Sequence, residues 1–267
     1  MLPQGLGEDE LRRVVATLSF PFIEERSVKI SPGRLSAERM LMSLVARSLD
    51  PDRRARLRSI ARQLGLPPED TEPLVDMVDH AETVHFGAER DRAFAFKLYL
   101  EFRIGGGAPH GLPQDTVFFA AKWFPGNRAT FSVYRDLPTA RDTSSIREVA
   151  RALDVGAVPF DFLESVLAGA APTAPDYGFP TMEVVDLGTS RRSIDVNLYG
   201  AGTRLAEHGA ALHRLAAGFG IPEPDLVAGL RRFGDPVLGH ISAGRGRGGE
   251  TFATVYFGAM ANEAAMP

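Results

Sequence analysis

The sequence predicts an α+β (α/β) fold in which about ten antiparallel strands, arranged as five hairpins, close into a barrel surrounded by helices. Three observations carry this. Apolar segments come in pairs around short clusters of Gly, Pro, Asn or Asp, the signature of a hairpin. Stretches with apolar residues three and four apart, the helical spacing, fill most intervals between the pairs. The pattern recurs five times, and strands that pair with their chain neighbours give an antiparallel sheet whose closure removes exposed edges. A parallel doubly wound sheet would need single strands alternating with helices, and fits worse. No single repeat can bury its own faces, so residues 1–267 are expected to form one domain.

In chain order, the first pair is Phe20–Ile30 and Leu35–Val45 around Ser31-Pro32-Gly33, although SAERMLMSLVARSL reads equally as a helix. RRARLRSIARQLGL follows Asp50, Pro51 and Asp52 and ends at a Gly, good start and stop signals for a helix, and TEPLVDMVDHA continues with helical spacing. The second pair is Thr83–Ala88 and Ala93–Arg103, turning at Glu89-Arg90-Asp91; FAFKLYLEF alternates as a half-buried strand does. IGGGAPHGLPQD carries no helix signal. The third pair is Thr116–Trp123 and Ala129–Arg135, around Pro125-Gly126-Asn127, a strong turn by composition. SIREVARALDV and PFDFLESVLAG are helical, the fourth pair is Thr181–Leu187 and Ser193–Tyr199, and TRLAEHGAALHRLAAGFGI and EPDLVAGLRRFG are again helical. Pro236–Ala243 and Glu250–Phe257, joined by GRGRGG, make the fifth pair.

Composition narrows the chemistry. With 44% hydrophobic and 24% charged residues the chain can bury a core, and with no Cys it has no disulfide, thiolate zinc site, iron–sulfur cluster or cysteine nucleophile. The net charge of -4 argues against nucleic acid. The N-terminal residues lack the apolar stretch of a signal peptide, and no window resembles a membrane span. A soluble, cytoplasmic protein is therefore expected. GRGRGG lacks the Lys-Ser/Thr of a phosphate loop, and neither His208 with His213 nor His80 with His85 is placed to hold a metal.

The second strand of each pair is unusually polar. Lys97, Tyr99 and Glu101 share one face, as do Thr130, Ser132 and Tyr134, then Asn197 and Tyr199, then Thr254 and Tyr256. Arg39, Lys122 and His240 lie on strands of the same pairs. If this face is the barrel interior, its basic and phenolic lining suits an anion such as a diphosphate, because Lys and Arg supply charge and Tyr supplies donors. The plainer alternative is that these faces meet water, as half-wet sheets do.

Segment by segment the chain resembles the cyanobactin prenyltransferases, peptide-modifying members of the ABBA (PT-barrel) fold. EERSVKISPGRLSAERM is similar to that family's first hairpin, AFKLYLEFR to its strand opening on a diphosphate-binding Lys, and SIDVNLYG and GHISAGRGRGGETFATVYFGA to its last two hairpins. The resemblance implies transfer of a dimethylallyl or geranyl group from its diphosphate to a peptide. It makes Glu25 the acid/base residue, with Glu24 as its rival, since a one-residue slip exchanges a strand's faces. Arg39, Lys97 and Tyr256 become diphosphate contacts, with Tyr99, Lys122, Asn197, Tyr199 and His240 as further lining residues. It also implies Mg²⁺ bridging the diphosphate oxygens, with no protein cage. Phe86, Phe118, Phe119, Trp123 and Phe131 are candidates to shield an allylic cation, though core packing is the commoner role of such residues. The chain departs from the family at Glu101, where relatives are basic, and at Leu238-Gly239, where they often carry a large aromatic; the small residue implies room for a longer isoprenoid or another acceptor. An enzyme of the same fold acting on a small aromatic compound, or a non-catalytic barrel binding a ligand, are the alternatives.

Overall fold

The computed structural model describes residues 7–91 and 93–262. Strands β1 (Phe22–Ser31), β2 (Arg34–Ser36), β3 (Arg39–Val45), β4 (Thr83–Arg90), β5 (Phe94–Glu101), β6 (Thr116–Trp123), β7 (Thr130–Asp136), β8 (Thr181–Asp186), β9 (Arg192–Asn197), β10 (Leu238–Arg245) and β11 (Thr251–Asn262) form one antiparallel sheet. Their order is β11-β10-β9-β8-β7-β6-β5-β4-β3-β1-β2, and β11 pairs in turn with β1, so the order closes on itself as a barrel requires. The helices are α1 (Glu8–Ala16), α2 (Arg53–Gln63), α3 (Pro68–Met77), α4 (Thr143–Ala152), α5 (Ala157–Ala170), α6 (Gly209–Gly218) and α7 (Glu223–Arg231). Eleven strands replace the expected ten because the second strand of the first hairpin is interrupted at Ala37-Glu38: β2 and β3 both border β1, and β3 pairs on its other side with β4. SAERMLMSLVARSL is mainly strand, since Met40, Met42 and Leu44 alternate into the core. No helix in the described residues is long and apolar enough to cross a membrane.

The chain forms two compact units, one built chiefly from the segment ending at Glu25 and Glu38–Arg135, the other from Arg26–Ala37 and Asp136–Ala259. In the first, the odd and even residues of β3 to β7 divide cleanly. Met40, Met42, Leu44, Val84, Phe86, Phe96, Leu98, Leu100, Phe119 and Trp123 are buried on one face. α1 packs on β4, bringing in Leu11, Val14 and Val15, while α2 and α3 pack together and bury Leu57, Ile60, Leu74 and Val75. Each such side chain contributes about 1.5–3 kcal/mol by leaving water. Trp123 Nε1 donates to the Leu64 carbonyl at 2.9 Å, satisfying its one polar group.

Asp70, in the first turn of α3, is 1% exposed and binds the β6–β7 turn. It accepts from Arg128 Nε and Nη2 and, at 2.7 Å, from the Ala129 amide. Hydrogen bonding by Arg128 holds the Asp70 carboxyl below its ordinary value, against burial, with the Ala129 amide helping. Asp70→Asn is expected to cost about 1.5–3 kcal/mol, the range for hydrogen bonds to charged groups. A depressed carboxyl pKa stabilises above the unfolded-state value and loses that contribution as pH falls through the folded-state value. Denaturant midpoints measured from pH 7 down to pH 3 should therefore show the variant and the parent converging.

In the second unit, Phe162, Leu163, Val166 and Leu167 of α5 and Leu212 and Leu215 of α6 bury Ile194 and Val196 of β9 and Ile241 and Ala243 of β10. The side chain of Asp142 accepts from the Ser144 and Ser145 amides and so begins α4. Ser193, Asp195, Asn197, His240, Ser242, Thr254 and Tyr256 occupy the opposite face.

Candidate active site

The polar face of the first unit is a ladder of rows set by strand register. Arg39 pairs with Glu89; Leu41, Gly87, Lys97, Lys122 and Thr130 form the next row; Ser43, His85, Tyr99, Ala120 and Ser132 the third; and Thr83, Glu101, Phe118 and Tyr134 the last. Successive rows are two residues apart, about 7 Å along the strands.

At one end, three cations converge on a single carboxylate. Arg39 Nη1 lies 2.5 Å from Glu89 Oε2, Lys97 Nζ lies 2.6 Å from the same oxygen, and Lys122 bonds Oε1. Arg39 is 5% and Glu89 4% exposed, which excludes the reading of this end as a water-washed sheet face. Burial opposes ionisation of Glu89, but the fields of Arg39, Lys97 and Lys122 overcome it and hold the carboxyl well below its ordinary value. Lys97 moves the other way. Desolvation lowers it to about 7, Glu89 resists, and Arg39 and Lys122 push it further down. A lysine poised at that value gains charge when an anion arrives, so the cluster is matched to a polyanion such as a diphosphate.

At the other end the face is aromatic. Tyr99 and Tyr134 meet edge to face at 5.9 Å, Phe118 and Tyr134 at 5.6 Å, and His85 lies 5.7 Å from Phe118. Among the five aromatics proposed as cation shields, only Phe118 is on this face. Phe86, Phe119 and Trp123 lie on the helix-packed face, buried by register with Leu98, Val133 and Phe96, and Phe131 stacks on Phe119 there.

Glu25 and Glu24 are separated by strand alternation. Glu24 forms an ion pair with Arg12 of α1 at 2.7 Å and so faces the helix, leaving Glu25, 8% exposed, on the opposite side of β1.

In the second unit His240, Asn197 and Tyr256 share one row, and His240 Nδ1 lies 3.1 Å from Asp195. Tyr199 meets His240 edge-on at 5.5 Å, and Tyr256 lies 5.7 Å from it. Two expectations change here. Tyr199 is not on a strand: Asn197 Oδ1 accepts its amide at 3.0 Å and turns the chain into a 3₁₀ turn, Tyr199–Ala201, so that oxygen serves the backbone. The room expected at Gly239 is filled, because a Cβ there would meet the Tyr199 ring at 2.4 Å.

Glu89, Ser43, His85 and Asp195 were not among the predicted site residues. Glu89-Arg90-Asp91 reads as a turn, yet the Thr83–Arg90 ladder continues through Glu89. In the sequence His85 stands out only beside His80, as a possible metal ligand. The opposed Lys97 and Lys122 would have pointed to a buried carboxylate nearby.

No protein-family model and no curated protein matches the chain. Solved structures do. The chain is similar to 5-dimethylallyltryptophan synthase from Streptomyces coelicolor, with a TM-score of 0.63 and 15% identity over 91% of this chain and 81% of that one. It is similar to PriB in a binary complex with product diphosphate, at 0.62 and 14% over 91% and 80%. The third is 6-dimethylallyltryptophan synthase from Micromonospora olivasterospora in complex with DMASPP and Trp, at 0.57 and 17% over 96% and 84%. The fold is therefore that of the ABBA prenyltransferases.

Proposed function

We propose that the protein transfers a prenyl group from its diphosphate to a small aromatic acceptor. The observation that carries this is the convergence of Arg39, Lys97 and Lys122 at one end of a strand face whose other end is lined by Tyr99, Phe118 and Tyr134. The acceptor class is supported by the similar structures: the Micromonospora enzyme and the Streptomyces enzyme were each crystallised in complex with DMASPP and Trp. The peptide acceptor implied by the sequence resemblance has no such support, and the small aromatic alternative takes its place.

The three cations hold the diphosphate and stabilise the charge that develops as its C–O bond breaks, in a site already poor in water. The aromatic end gives the allylic cation ring faces in place of solvent. Glu25 orients the acceptor's nucleophilic atom by accepting a hydrogen bond. In the second unit, Tyr256, Tyr199, Asn197 and His240 are proposed as lining residues of that unit's own polar face.

The residues do not fit a resident Mg²⁺. The donor end presents cations, and no group of three Asp, Glu or His in the described residues could hold a metal ion. Any Mg²⁺ would arrive on the donor's own oxygens. Chelation with EDTA is accordingly expected to lower turnover by less than about tenfold, a difference of under ~1.4 kcal/mol.

The function is tested by incubating the protein with dimethylallyl or geranyl diphosphate and a panel of indoles, phenols and peptides, and reading prenyl additions by mass spectrometry. Products on aromatics support the proposal. Products on peptides alone restore the peptide reading, and donor binding without product leaves a ligand-binding barrel. Glu25→Gln is expected to lower turnover by about 100-fold and to leave calorimetric binding of inorganic diphosphate unchanged.

A further inference from the structure

One step along the strands from the cations, three polar side chains form a chain that donor binding does not use. Ser43 Oγ lies 2.7 Å from His85 Nδ1, and His85 Nε2 lies 3.0 Å from Glu101 Oε2. They come from three adjacent strands, β3, β4 and β5, on the same face as Lys97. The His85 side chain is 12% exposed and that of Glu101 34%.

The donor and acceptor inventory fixes which way this chain points. An ionised carboxylate only accepts, so the neutral imidazole must carry its proton on Nε2. Nδ1 then has only a lone pair and must accept, and the hydroxyl of Ser43 is its donor. The serine proton is thereby aimed at the imidazole, and its oxygen lone pairs point away from His85. This is the logic by which a carboxylate-oriented histidine activates a serine hydroxyl, with the two ring nitrogens exchanged relative to the hydrolase arrangement.

We propose that Ser43, backed by His85 and Glu101, is the port through which the acceptor loses its proton. The inference rests on the prenyl-transfer reading and adds to it the fate of the proton. The acceptor atom forms its bond to the allylic carbon while the carbon–oxygen bond to diphosphate breaks, and the electron pair leaves with the diphosphate. The acceptor's proton passes to Ser43 Oγ as the serine's own proton passes to His85 Nδ1. Glu101 stabilises the resulting imidazolium and, being partly exposed, connects it to solvent. The offset of about 7 Å between the rows of Lys97 and His85 separates the leaving group from the proton acceptor. Glu101, where the resemblance called for a base, is the residue this relay requires.

The test compares Ser43→Ala, His85→Asn and Glu101→Gln with the parent chain in three readouts. Steady-state kinetics with dimethylallyl diphosphate and an aromatic acceptor should show kcat lowered by about 100-fold or more in the first two, with the donor KM unchanged. Calorimetric binding of inorganic diphosphate should be retained in all three, which certifies the fold and the donor site. The third readout is the His85 tautomer, whose preference for Nε2–H should be lost in Glu101→Gln, because an amide no longer presents acceptors alone to that nitrogen. Independently of turnover, ¹⁵N-histidine spectra of the parent at high pH should show His85 as the Nε2–H tautomer. Undiminished kcat in Ser43→Ala and His85→Asn, or an Nδ1–H tautomer, overturns the relay alone. Absence of both turnover and diphosphate binding in the parent overturns the prenyl-transfer reading and the relay with it.

Discussion

Glu89→Gln is expected to destabilise the ligand-free protein by about 3–5 kcal/mol, the range for removing one partner from a buried ion cluster. The reason is specific to the site: Arg39, Lys97 and Lys122 share this carboxylate, and Glu89 and Arg39 are 4% and 5% exposed. Removing it leaves buried positive charge facing positive charge. Rescue by a second anion is expected as well. A diphosphate is an alternative anion for the same three cations, so saturating inorganic diphosphate should restore most of the lost denaturant midpoint of Glu89→Gln, and more than it adds to the parent. Equal midpoints for variant and parent without ligand would show that the cluster is not held by Glu89.

The second large effect is at Lys97. Lys97→Met is expected to weaken diphosphate binding by about 100-fold, near 2.7 kcal/mol at ~1.4 kcal/mol per factor of ten, without loss of fold stability. Its cation is disfavoured in place chiefly by desolvation, which lowers its pKa to about 7. Below that value it is charged in both folded and unfolded chains. From about 7 up to its ordinary value of 10.5 the folded protein holds it neutral while the unfolded chain holds it charged, so unfolding takes up a proton and stability rises with pH. Lys97→Met lacks that rise and should be at least as stable as the parent near pH 6. A bound diphosphate restores the proton to Lys97, so parent affinity should decline as pH climbs above about 7.

Much of this was legible in the residues. Five hairpins follow from paired apolar segments and their turns, and the predicted Thr116–Trp123 has the observed bounds because Pro125-Gly126-Asn127 marks its end. The alternation in FAFKLYLEF put Lys97, Tyr99 and Glu101 on one face, where the structure has them. What failed did so for physical reasons. Glu89 looked like a turn residue because acidic side chains seldom lie inside strands, and only cations brought from β3, β5 and β6 make its burial affordable. Phe86, Phe119 and Trp123 could not be assigned a face, since a continuous apolar run does not reveal which parity meets the helices. α1 was not anticipated: its Leu11, Val14 and Val15 form a short stripe within a charged stretch, and packing on β4 stabilises it. Tyr199 left the strand because Asn197 captured its amide, a local competition that strand patterning does not register.

The proposed function requires that Arg39, Lys97 and Lys122 hold the donor's diphosphate. Its most direct test is a calorimetric titration of dimethylallyl diphosphate into the parent and into Lys97→Met at pH 7. Saturable binding by the parent that weakens about 100-fold in Lys97→Met, with both proteins folded, is the predicted result. Equal affinity in the two proteins, or no binding by the parent, would contradict it.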